Sequence, residues 1–474
     1  MPLSPRRPLA LLSISLVLAL TLPRLTSLGM FGDGVFYAAL GRNLAAGLGS
    51  AWALFLAPGR PLFEHPPGAI WGLAGLYRVF GDSYLVESLA SGAAGLVLVA
   101  LVMALWRTAG LERVAGAWLA VLVLALIPVV TWAFAQNLLD VYQAVATTAA
   151  VVAAVAACRA PAPGRALGWG ALAGAAVVAA ALVKGPTGLF PLAVPPLALG
   201  LRTWARPRSA WLAATSMVVV IGVAAMALWL HEPARAYLAE YLRVQVERSL
   251  RGERAVVASR WFILFATARE VATPALALGA WALALRRRVR LTPPRETLLL
   301  LGVALAVSVP LAVSPKQYLR YALPALPLLA VALAALAAPL AAWLEARITE
   351  RGRRWLVGAA IALAVGGLVG AVAERGAIRN QWAFHEDFTR QPYPFADWAR
   401  VAPCPASLGT LSLRASFARF VRVDLADDAT GPADFFLTEA SGGCEPPAGC
   451  VRVHPAAPYR FVMYDCRARL SPAP

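Results

Sequence analysis

The sequence predicts an all-α polytopic membrane protein with about eleven transmembrane helices and a small mixed α/β extracytoplasmic domain at its C-terminal end. The chain has 474 residues, of which 60% are hydrophobic and 14% are charged, and its mean hydropathy is +0.66. Soluble domains carry about 25% charged residues, so this composition excludes an ordinary soluble protein. Apolar stretches of about 17 to 25 residues, the length that crosses a bilayer, recur up to residue 373.

The expected spans follow one another closely along the chain. They cover residues 9–28, 84–106, 114–134, 138–157, 166–183, 188–201, 210–230, 262–285, 297–313, 321–344 and 355–373. The sixth span is short and follows Lys184-Gly185-Pro186, so we expect a broken or tilted helix there. The aromatic stretch 70–80 is too short to cross a bilayer and carries Arg78, which favours a helix lying in the membrane interface.

The basic residues between the spans predict the orientation. If the N-terminus with Arg6 and Arg7 is cytoplasmic, every strongly basic loop between spans but one is cytoplasmic too, in agreement with the positive-inside rule. These loops hold Arg107 and Arg113; Arg159 and Arg165; Arg202, Arg206 and Arg208; Arg286 to Arg288, Arg290 and Arg295; and Arg347, Arg351, Arg353 and Arg354. The net charge of +18 therefore reflects membrane topology, and no nucleic-acid partner is expected.

The exception is the segment 231–260, which carries six arginines on the extracytoplasmic side. One hypothesis is an amphipathic surface helix in which glutamates offset the arginines at helical spacing. The other is that some of these arginines hold a phosphate or pyrophosphate group of a lipid-linked substrate.

The cysteines support the same orientation. Four of the five lie in residues 374–474, namely Cys404, Cys444, Cys450 and Cys466. An even number in a small domain predicts two disulfides in an oxidising compartment, with three possible connectivities. Zinc binding is the rival hypothesis, but no C-x2-C pair is present. The runs 411–423, 435–438 and 459–464 predict short strands. We therefore expect two domains in a bacterial protein. Residues 1–373 form a transmembrane domain in the cytoplasmic membrane, and residues 374–474 form an extracytoplasmic domain.

The extracytoplasmic segment 30–83 is where chemistry is expected. Asp33 directly follows the first span, Tyr37 lies four residues later, and Glu64-His65 precede two prolines. A carboxylate at the mouth of a helix bundle, with a second polar cluster beside it, suits a reaction at the level of the lipid headgroups. The structural alternatives are a polar helix end for Asp33 and a proline-set turn for Glu64 and His65.

An ordered series of motifs resembles the GT-C glycosyltransferases, in particular the protein O-mannosyltransferase and aminoarabinose-transferase group. The series consists of Asp33 to Tyr37, Phe63-Glu64-His65-Pro66-Pro67 with Trp71, Phe80-Gly81-Asp82-Ser83, Asn137 to Asp140, Lys184-Gly185-Pro186, and Lys316 with Arg320-Tyr321-Ala322-Leu323-Pro324. The likeness covers about residues 8–345. The family commonly has an acidic pair at the first position, whereas Asp33 is followed by Gly34, which weighs against a metal role there more than against a base.

The resemblance implies transfer of a sugar from a polyprenyl-phosphate donor to a lipid, glycan or protein acceptor at the outer face of the membrane, with inversion at the anomeric carbon. Asp33 would be the general base. The remaining candidates would bind the substrates. Lys184, Arg260, Lys316 and Arg320 would hold the phosphate, and Glu64, His65 and Asp140 would line the sugar or acceptor pocket. Tyr37 and Tyr321 are further substrate-binding candidates. Asp140 also suits a helix start, Lys184, Lys316 and Arg320 also suit snorkelling to the interface, and Tyr321 also suits the interfacial aromatic belt.

Two other functions stay open at this stage. A transporter or lipid flippase would be expected to show internal repeats or charges in mid-span, and neither is expected here. A non-catalytic scaffold would tolerate charge changes at Asp33. A divalent cation is an open question, because the chain has no metal-ligand motif and its four histidines are scattered.

Overall fold

The structure is a computed structural model that describes residues 5–59, 61–204, 206–253, 258–259, 261–314, 316–379, 395–427, 432–440, 442, 444–453 and 461–470. Helices dominate as far as residue 373, and a small sheet follows, so the predicted fold class is confirmed.

The α-helices are α1 (Arg6–Leu25), α2 (Gly32–Ala45), α3 (Gly68–Phe80), α4 (Tyr84–Ala109), α5 (Trp118–Ala125), α6 (Pro128–Ala133), α7 (Leu139–Arg159), α8 (Pro163–Lys184), α9 (Val194–Gly200), α10 (Pro207–Leu230), α11 (Glu232–Tyr241), α12 (Arg248–Leu250), α13 (Phe262–Leu285), α14 (Arg295–Val313), α15 (Leu326–Leu336), α16 (Ala338–Glu345), α17 (Glu350–Ala373), α18 (Leu411–Ser416) and α19 (Arg467–Leu470). Short 3-10 helices cover Leu111–Arg113, Pro186–Ala193, Leu319–Ala322 and Ala406–Leu408, and π-helical turns cover Leu242–Glu247 and Phe417–Val421.

Among the described residues, eight helices are long and apolar enough to cross a membrane, and a ninth span results if α15 and α16, bent by 61°, are counted as one. The eight are α1, α4, α7, α8, α10, α13, α14 and α17. Two predicted spans are broken instead, 114–134 into α5 and α6 and 188–201 into a 3-10 helix and α9, and proline begins or interrupts these pieces. The count of about eleven stays a prediction.

The chain forms two compact units that do not follow a single cut at residue 373. Unit 1 contains Met1–Leu25, Phe63–Ala69 and Leu89–Ala373, and unit 2 contains Thr26–Leu62, Ile70–Ser88 and Glu374–Pro474. The composition changes at residue 373 because the last apolar span ends there. The compact unit that contains the tail also includes the earlier segments Thr26–Leu62 and Ile70–Ser88.

In unit 1, α7 is the most buried of the candidate spans and packs along α8, which in turn packs on α10. In the most apolar 18-residue stretch of α10 only 11% of the residues are buried, and Val218 and Val223 are largely exposed. Exposed aliphatic side chains on a helix of this length are what lipid contact requires.

One end of unit 1 gathers charged residues from segments far apart in sequence. Arg6 Nε lies 2.8 Å from Glu345 Oε2, and the Trp118 indole and the Gly116 amide both donate to Glu345 Oε1. Arg206 donates to the Arg159 carbonyl at 3.0 Å. These residues belong to the N-terminus and to loops that the charge pattern assigns to the cytoplasm. They therefore lie together at one end of the helix bundle.

Unit 2 contains a five-stranded sheet built from β3 (Arg400–Cys404), β4 (Asp424–Leu425), β5 (Phe435–Glu439), β6 (Val451–Arg452) and β7 (Phe461–Asp465), in the order β4-β3-β5-β7-β6. Strand β3 runs parallel to β4 and β5, whereas β7 is antiparallel to β5 and β6. A small hairpin of β1 (Gly49–Ser50) and β2 (Ala53–Leu54) precedes it in the chain. Val401, Phe417 and Leu437 lie in the core of the sheet domain.

The predicted strand 411–423 is wrong, because this segment forms α18 and a π-helical turn. Thr410 accepts a hydrogen bond from the Leu413 amide and so caps the helix start. Residues 415–419 are buried consecutively, which does not match the alternation of a strand. The run 435–438 is a strand as predicted, and residues 459 and 460 lie outside the described residues.

Two disulfides join the four cysteines of the tail. Of the three connectivities that the sequence leaves open, the structure has Cys404–Cys444 and Cys450–Cys466. Cys158 is free and buried.

Unit 2 also buries an ionic network. Arg419 contacts both Glu87 oxygens at 3.1 and 3.2 Å and Asp82 Oδ1 at 2.7 Å, and the Tyr77 hydroxyl donates to Glu87 Oε2 at 2.6 Å. Arg419 and Glu87 are almost completely buried. Burial raises the pKa of Tyr77, and the Glu87 charge raises it further, so its hydroxyl stays protonated and donates to that carboxylate.

Candidate active site

Lys184, at the last residue of α8, is the centre of the polar site in unit 1. Its ammonium pairs with Asp140 Oδ1 and lies 4.3 Å from the centre of the Tyr321 ring. The Lys184 and Asp140 side chains are only 10% and 2% exposed. A buried ammonium is costly unless it meets an opposite charge, and the aromatic face adds a cation–π attraction. The result is a positive charge held at a fixed point.

The start of α7 positions Asp140. Asn137 adopts a left-handed backbone conformation with φ 49°, Leu138 is extended, and the helix then begins at Leu139. The Asn137 amide donates to Ser91 Oγ at 3.0 Å, and the Tyr142 hydroxyl donates to Asn137 Oδ1 at 2.8 Å. One turn further along, Gln143 donates to Thr187 Oγ1 at 2.9 Å and ties α7 to the turn that follows Lys184.

Gly185 allows the chain to turn sharply after Lys184. Its φ of 81° and ψ of −153° are accessible essentially to glycine alone. A Cβ at this position would lie 2.0 Å from the Tyr241 hydroxyl oxygen. Both observations require glycine here, and they place Tyr241 of α11 against the Lys184 turn.

We expect Gly185→Ala to displace this turn and to lower stability by about 2 kcal/mol or more, because alanine is strained at this φ and its methyl group meets Tyr241. Thermal unfolding of the purified protein in detergent measures the loss. Gly168→Ala is the matched control, since Gly168 lies on the same helix with open space at its Cβ position. Equal unfolding temperatures for the two variants would contradict the assignment.

Two further cations lie in the turn that leads to α15. Arg320 lies 4.2 Å from the ring centre of Tyr318 and 5.4 Å from that of Tyr321, and Lys316 lies 5.8 Å from that of Tyr318. Lys184, Lys316 and Arg320 are called the cation cluster below. Gln317 holds the turn, because its side chain accepts from the Ile263 amide and donates to two carbonyls.

The segment Phe63–Ala69 packs beside the end of α8, since a Cβ at Gly68 would lie 2.9 Å from the Leu182 carbonyl oxygen. Tyr237 donates its hydroxyl to the His65 carbonyl at 2.9 Å, and Gln245 donates to Glu64 Oε2 at 2.7 Å. The rings of Phe63 and Tyr237 lie 5.2 Å apart. Burial raises the pKa of Tyr237, as do the nearby Tyr241 and Glu64, so the phenol remains a donor. Glu64 and His65 are therefore held by α11 and the turn after it.

Asp33 and Tyr37 lie in unit 2, on α2. Asp33 is the second residue of that helix and is half-buried, and Tyr37 is buried one turn later with its ring 5.5 Å from that of Phe36. A carboxylate in the first turn of a helix is stabilised by the helix dipole. The catalytic role of Asp33 stays a prediction.

Arg260 lies outside the described residues. In the segment before it, Arg243 binds Glu240 at 2.5 and 2.8 Å and Arg251 pairs with Glu247, both at helical spacing and on exposed surface. For these two arginines the structure has the surface-helix arrangement.

The buried stripe Tyr237, Tyr241 and Gln245 was not predicted from the sequence, although its spacing of four residues marks one helix face. Only the charges of this segment entered the prediction. The expectation that charges are absent from mid-span is also wrong, because Arg269 and Glu270 lie within α13. Glu270 accepts from the Val129 amide at 2.9 Å and so satisfies an amide at the start of α6.

Within the part of the chain that the structure describes, no group of three or more histidine, cysteine, aspartate or glutamate side chains is arranged to hold a metal ion.

Residues 64–229 match the family model of dolichyl-phosphate-mannose-protein mannosyltransferases. The fold is similar to that of ArnT from Cupriavidus metallidurans bound to undecaprenyl phosphate, with 18% identity, TM-score 0.62 and 98% of each chain covered. The same enzyme in its apo state gives 18% identity, TM-score 0.61 and 97% of each chain.

A more distant similarity is to the oligosaccharyltransferase AglB from Archaeoglobus fulgidus in complex with an inhibitory peptide and a dolichol-phosphate, with 13% identity, TM-score 0.47, and coverage of 92% of this chain and 69% of that one. No curated protein sequence gives a significant match. Over its whole length this chain therefore has a GT-C fold like that of ArnT, and residues 64–229 within it match the mannosyltransferase family model.

Proposed function

We propose that the protein transfers a sugar from a polyprenyl-phosphate donor to a hydroxyl or amine of a lipid, glycan or protein acceptor at the outer face of the cytoplasmic membrane. The acceptor oxygen or nitrogen forms a bond to the anomeric carbon while the bond from that carbon to the phosphate oxygen breaks. The electron pair leaves with the phosphate, and the acceptor proton passes to a base. Attack opposite the leaving group inverts the anomeric carbon.

The observation that carries this proposal is the cation cluster. Its members come from the end of α8 and from the turn before α15, and aromatic rings and Asp140 fix them. A departing polyprenyl phosphate gains negative charge in the transition state, and cations held in place stabilise that charge without reorganisation. Asp140 then acts on the reaction through Lys184, as a positioning residue, rather than by touching the sugar.

The base in this proposal is Asp33. Support comes from the sequence resemblance and from the location of Asp33 in the first turn of the helix that follows span α1. Glu64, His65 and Tyr37 are proposed to contact the sugar or acceptor. The lipid carrier of the donor is proposed from the motif series and from the undecaprenyl phosphate bound by the similar ArnT.

The orientation in this proposal has the N-terminus in the cytoplasm and the disulfide-bonded tail outside. It is supported by the common end that Arg6, Arg159, Arg206 and Glu345 share, since the positive-inside rule assigns their segments to the cytoplasm. The cation cluster is at the other end of the bundle, because Asp140 lies in the first turn of α7 and Arg159 is its last residue.

The test is transfer of labelled sugar from polyprenyl-phosphate donors in membranes that contain the native chain or Lys184→Gln at equal expression. We expect Lys184→Gln to lower the rate about 100-fold or more, because the departing phosphate then lacks the fixed cation that stabilises its charge. Arg243→Gln removes an exposed charge outside the cluster and should leave the rate unchanged.

A Lys184→Gln rate equal to that of the native chain would refute the role of the cluster. If the native chain transfers no sugar from any donor but moves the donor lipid across proteoliposome membranes, the transporter hypothesis replaces the proposal.

A further inference from the structure

At the end of unit 1 where Arg159 lies, the structure contains a cavity of about 520 Å³. Helix α7 separates it from the cation cluster, since Asp140 and Arg159 are 19 residues apart on that helix, about 30 Å at 1.5 Å per residue. The cavity walls come from the end of α4 and the turn after it, the end of α7, the loop before α10 and the start of α14. The cavity plays no part in the proposed transfer.

The charge of the lining is predominantly positive. Arg113, Arg159 and Arg206 line the cavity, and Glu296 is the single carboxylate among its lining residues. The Arg159 guanidinium lies 5.6 Å from the ring centre of Trp204, which fixes its plane. Arginines gathered around a cavity repel one another, and an anion between them relieves this repulsion.

Three donors at the cavity lack a hydrogen-bond partner. Arg159 Nη1, Trp204 Nε1 and Thr203 Oγ1 are all buried, and none makes a hydrogen bond within the described part of the protein. Buried donors in folded proteins are nearly always satisfied, so a group of three around one cavity points to a ligand with several acceptor oxygens.

Gly110 lies directly against the Arg159 guanidinium at the cavity wall. Its backbone has a φ of 86°, and a Cβ there would lie 2.6 Å from Arg159 Nη1. Any other residue at 110 would occupy the space beside the unpartnered nitrogen. The turn after α4 is therefore shaped to leave room next to Arg159.

We propose that this cavity binds a phosphate group, carried either by the headgroup of an anionic phospholipid or by a soluble phosphate. A phosphate offers the planar guanidinium a bidentate partner and retains oxygens for the indole and the hydroxyl. In the proposed orientation the cavity opens at the cytoplasmic face, where anionic lipids are concentrated. The site is independent of the sugar-transfer site.

Two measurements distinguish the two sources of phosphate. Isothermal titration calorimetry of the full chain in a zwitterionic detergent tests inorganic phosphate. Native mass spectrometry from micelles that contain phosphatidylglycerol and phosphatidylcholine in equal amounts tests the lipid headgroup. Each is made on the native chain, on Arg159→Gln, on Glu296→Gln and on Arg208→Gln, an exposed arginine of the same region that does not line the cavity.

We expect binding of at least one of the two probes, a loss of 10-fold or more in affinity with Arg159→Gln, and no change with Arg208→Gln. Glu296→Gln should strengthen binding severalfold, because it removes the repulsive carboxylate. This opposite direction tests the proposal even if Arg159→Gln fails to fold. Selective retention of phosphatidylglycerol alone identifies a lipid site, whereas binding of inorganic phosphate alone identifies a soluble ligand.

The proposal is overturned if neither probe binds the native chain, or if Arg159→Gln and Arg208→Gln change binding equally. An unchanged or weaker affinity in Glu296→Gln also overturns it. Sugar transfer is not a readout of this experiment, so its outcome is separate from that of the proposed function.

Discussion

Replacement of Asp33 by asparagine is expected to lower the rate of sugar transfer by about 100-fold to 10,000-fold, the range that a positioned general base supplies. Asparagine keeps the size of the side chain and its place in the first turn of α2, but it does not accept the proton of the acceptor nucleophile. Binding of the donor should change little, because the cation cluster is intact. The rate is measured with labelled polyprenyl-phosphate donors in membranes of matched expression.

Asp397→Asn is the control for this change. Asp397 is an exposed carboxylate of unit 2 whose contact with Arg422 is long, 3.5 Å, so its loss should leave transfer unaffected. Asp33→Glu retains the carboxylate at a displaced position and should recover part of the rate. If Asp33→Asn transfers sugar as fast as the Asp397→Asn control, another residue is the base.

Replacement of Arg419 by alanine is expected to destabilise unit 2 by about 3–5 kcal/mol, because it leaves Glu87 buried without its counter-ion. Arg419 also contacts Asp82, and its guanidinium lies 5.2 Å from the centre of the Tyr77 ring, so one deletion removes several contacts. The charges of Glu87 and Asp82 outweigh desolvation and raise the pKa of Arg419. Protease susceptibility of the tail and thermal unfolding in detergent both measure the effect.

Arg422→Ala provides the comparison, since Arg422 is nearly half exposed and its ion pairs are long. It should cost less than about 1 kcal/mol. The double variant Arg419→Met, Glu87→Leu removes both buried charges and should recover part of the stability, because no buried charge is then left unpaired and the Tyr77 hydroxyl loses its acceptor. If Arg419→Ala unfolds at the same temperature as Arg422→Ala, the network does not hold unit 2 together.

The membrane-spanning helices were predictable wherever an uninterrupted apolar stretch forms a single helix. The long spans α4, α7, α8, α10, α13 and α17 lie within a few residues of their predicted bounds, because lipid contact demands an apolar surface of fixed length. The prediction was weakest where proline interrupts a run. Pro128 begins α6 after the break that follows α5, and Pro191 lies inside the 3-10 helix that precedes α9. Hydropathy averaged over a span does not register such breaks.

The candidate site was predictable as a set of residues but not as a set of contacts. Asp140 and Lys184 were both identified, yet for different tasks, and their ion pair follows only from the packing of α7 on α8. The stripe of Tyr237, Tyr241 and Gln245 was missed, because a tyrosine in a charged segment carries no signal until its partners are known.

By itself the sequence determined the membrane class, the basic loops that indicate orientation, the motif series that resembles GT-C transferases and the cysteine-rich tail. Each of these depends on composition or on order along the chain, which folding does not change. Only the tertiary structure decided which charges are paired, which cysteines are joined and which arginines surround a cavity. Such contacts form between residues far apart in the chain, and helix packing selects one set among many that the sequence permits.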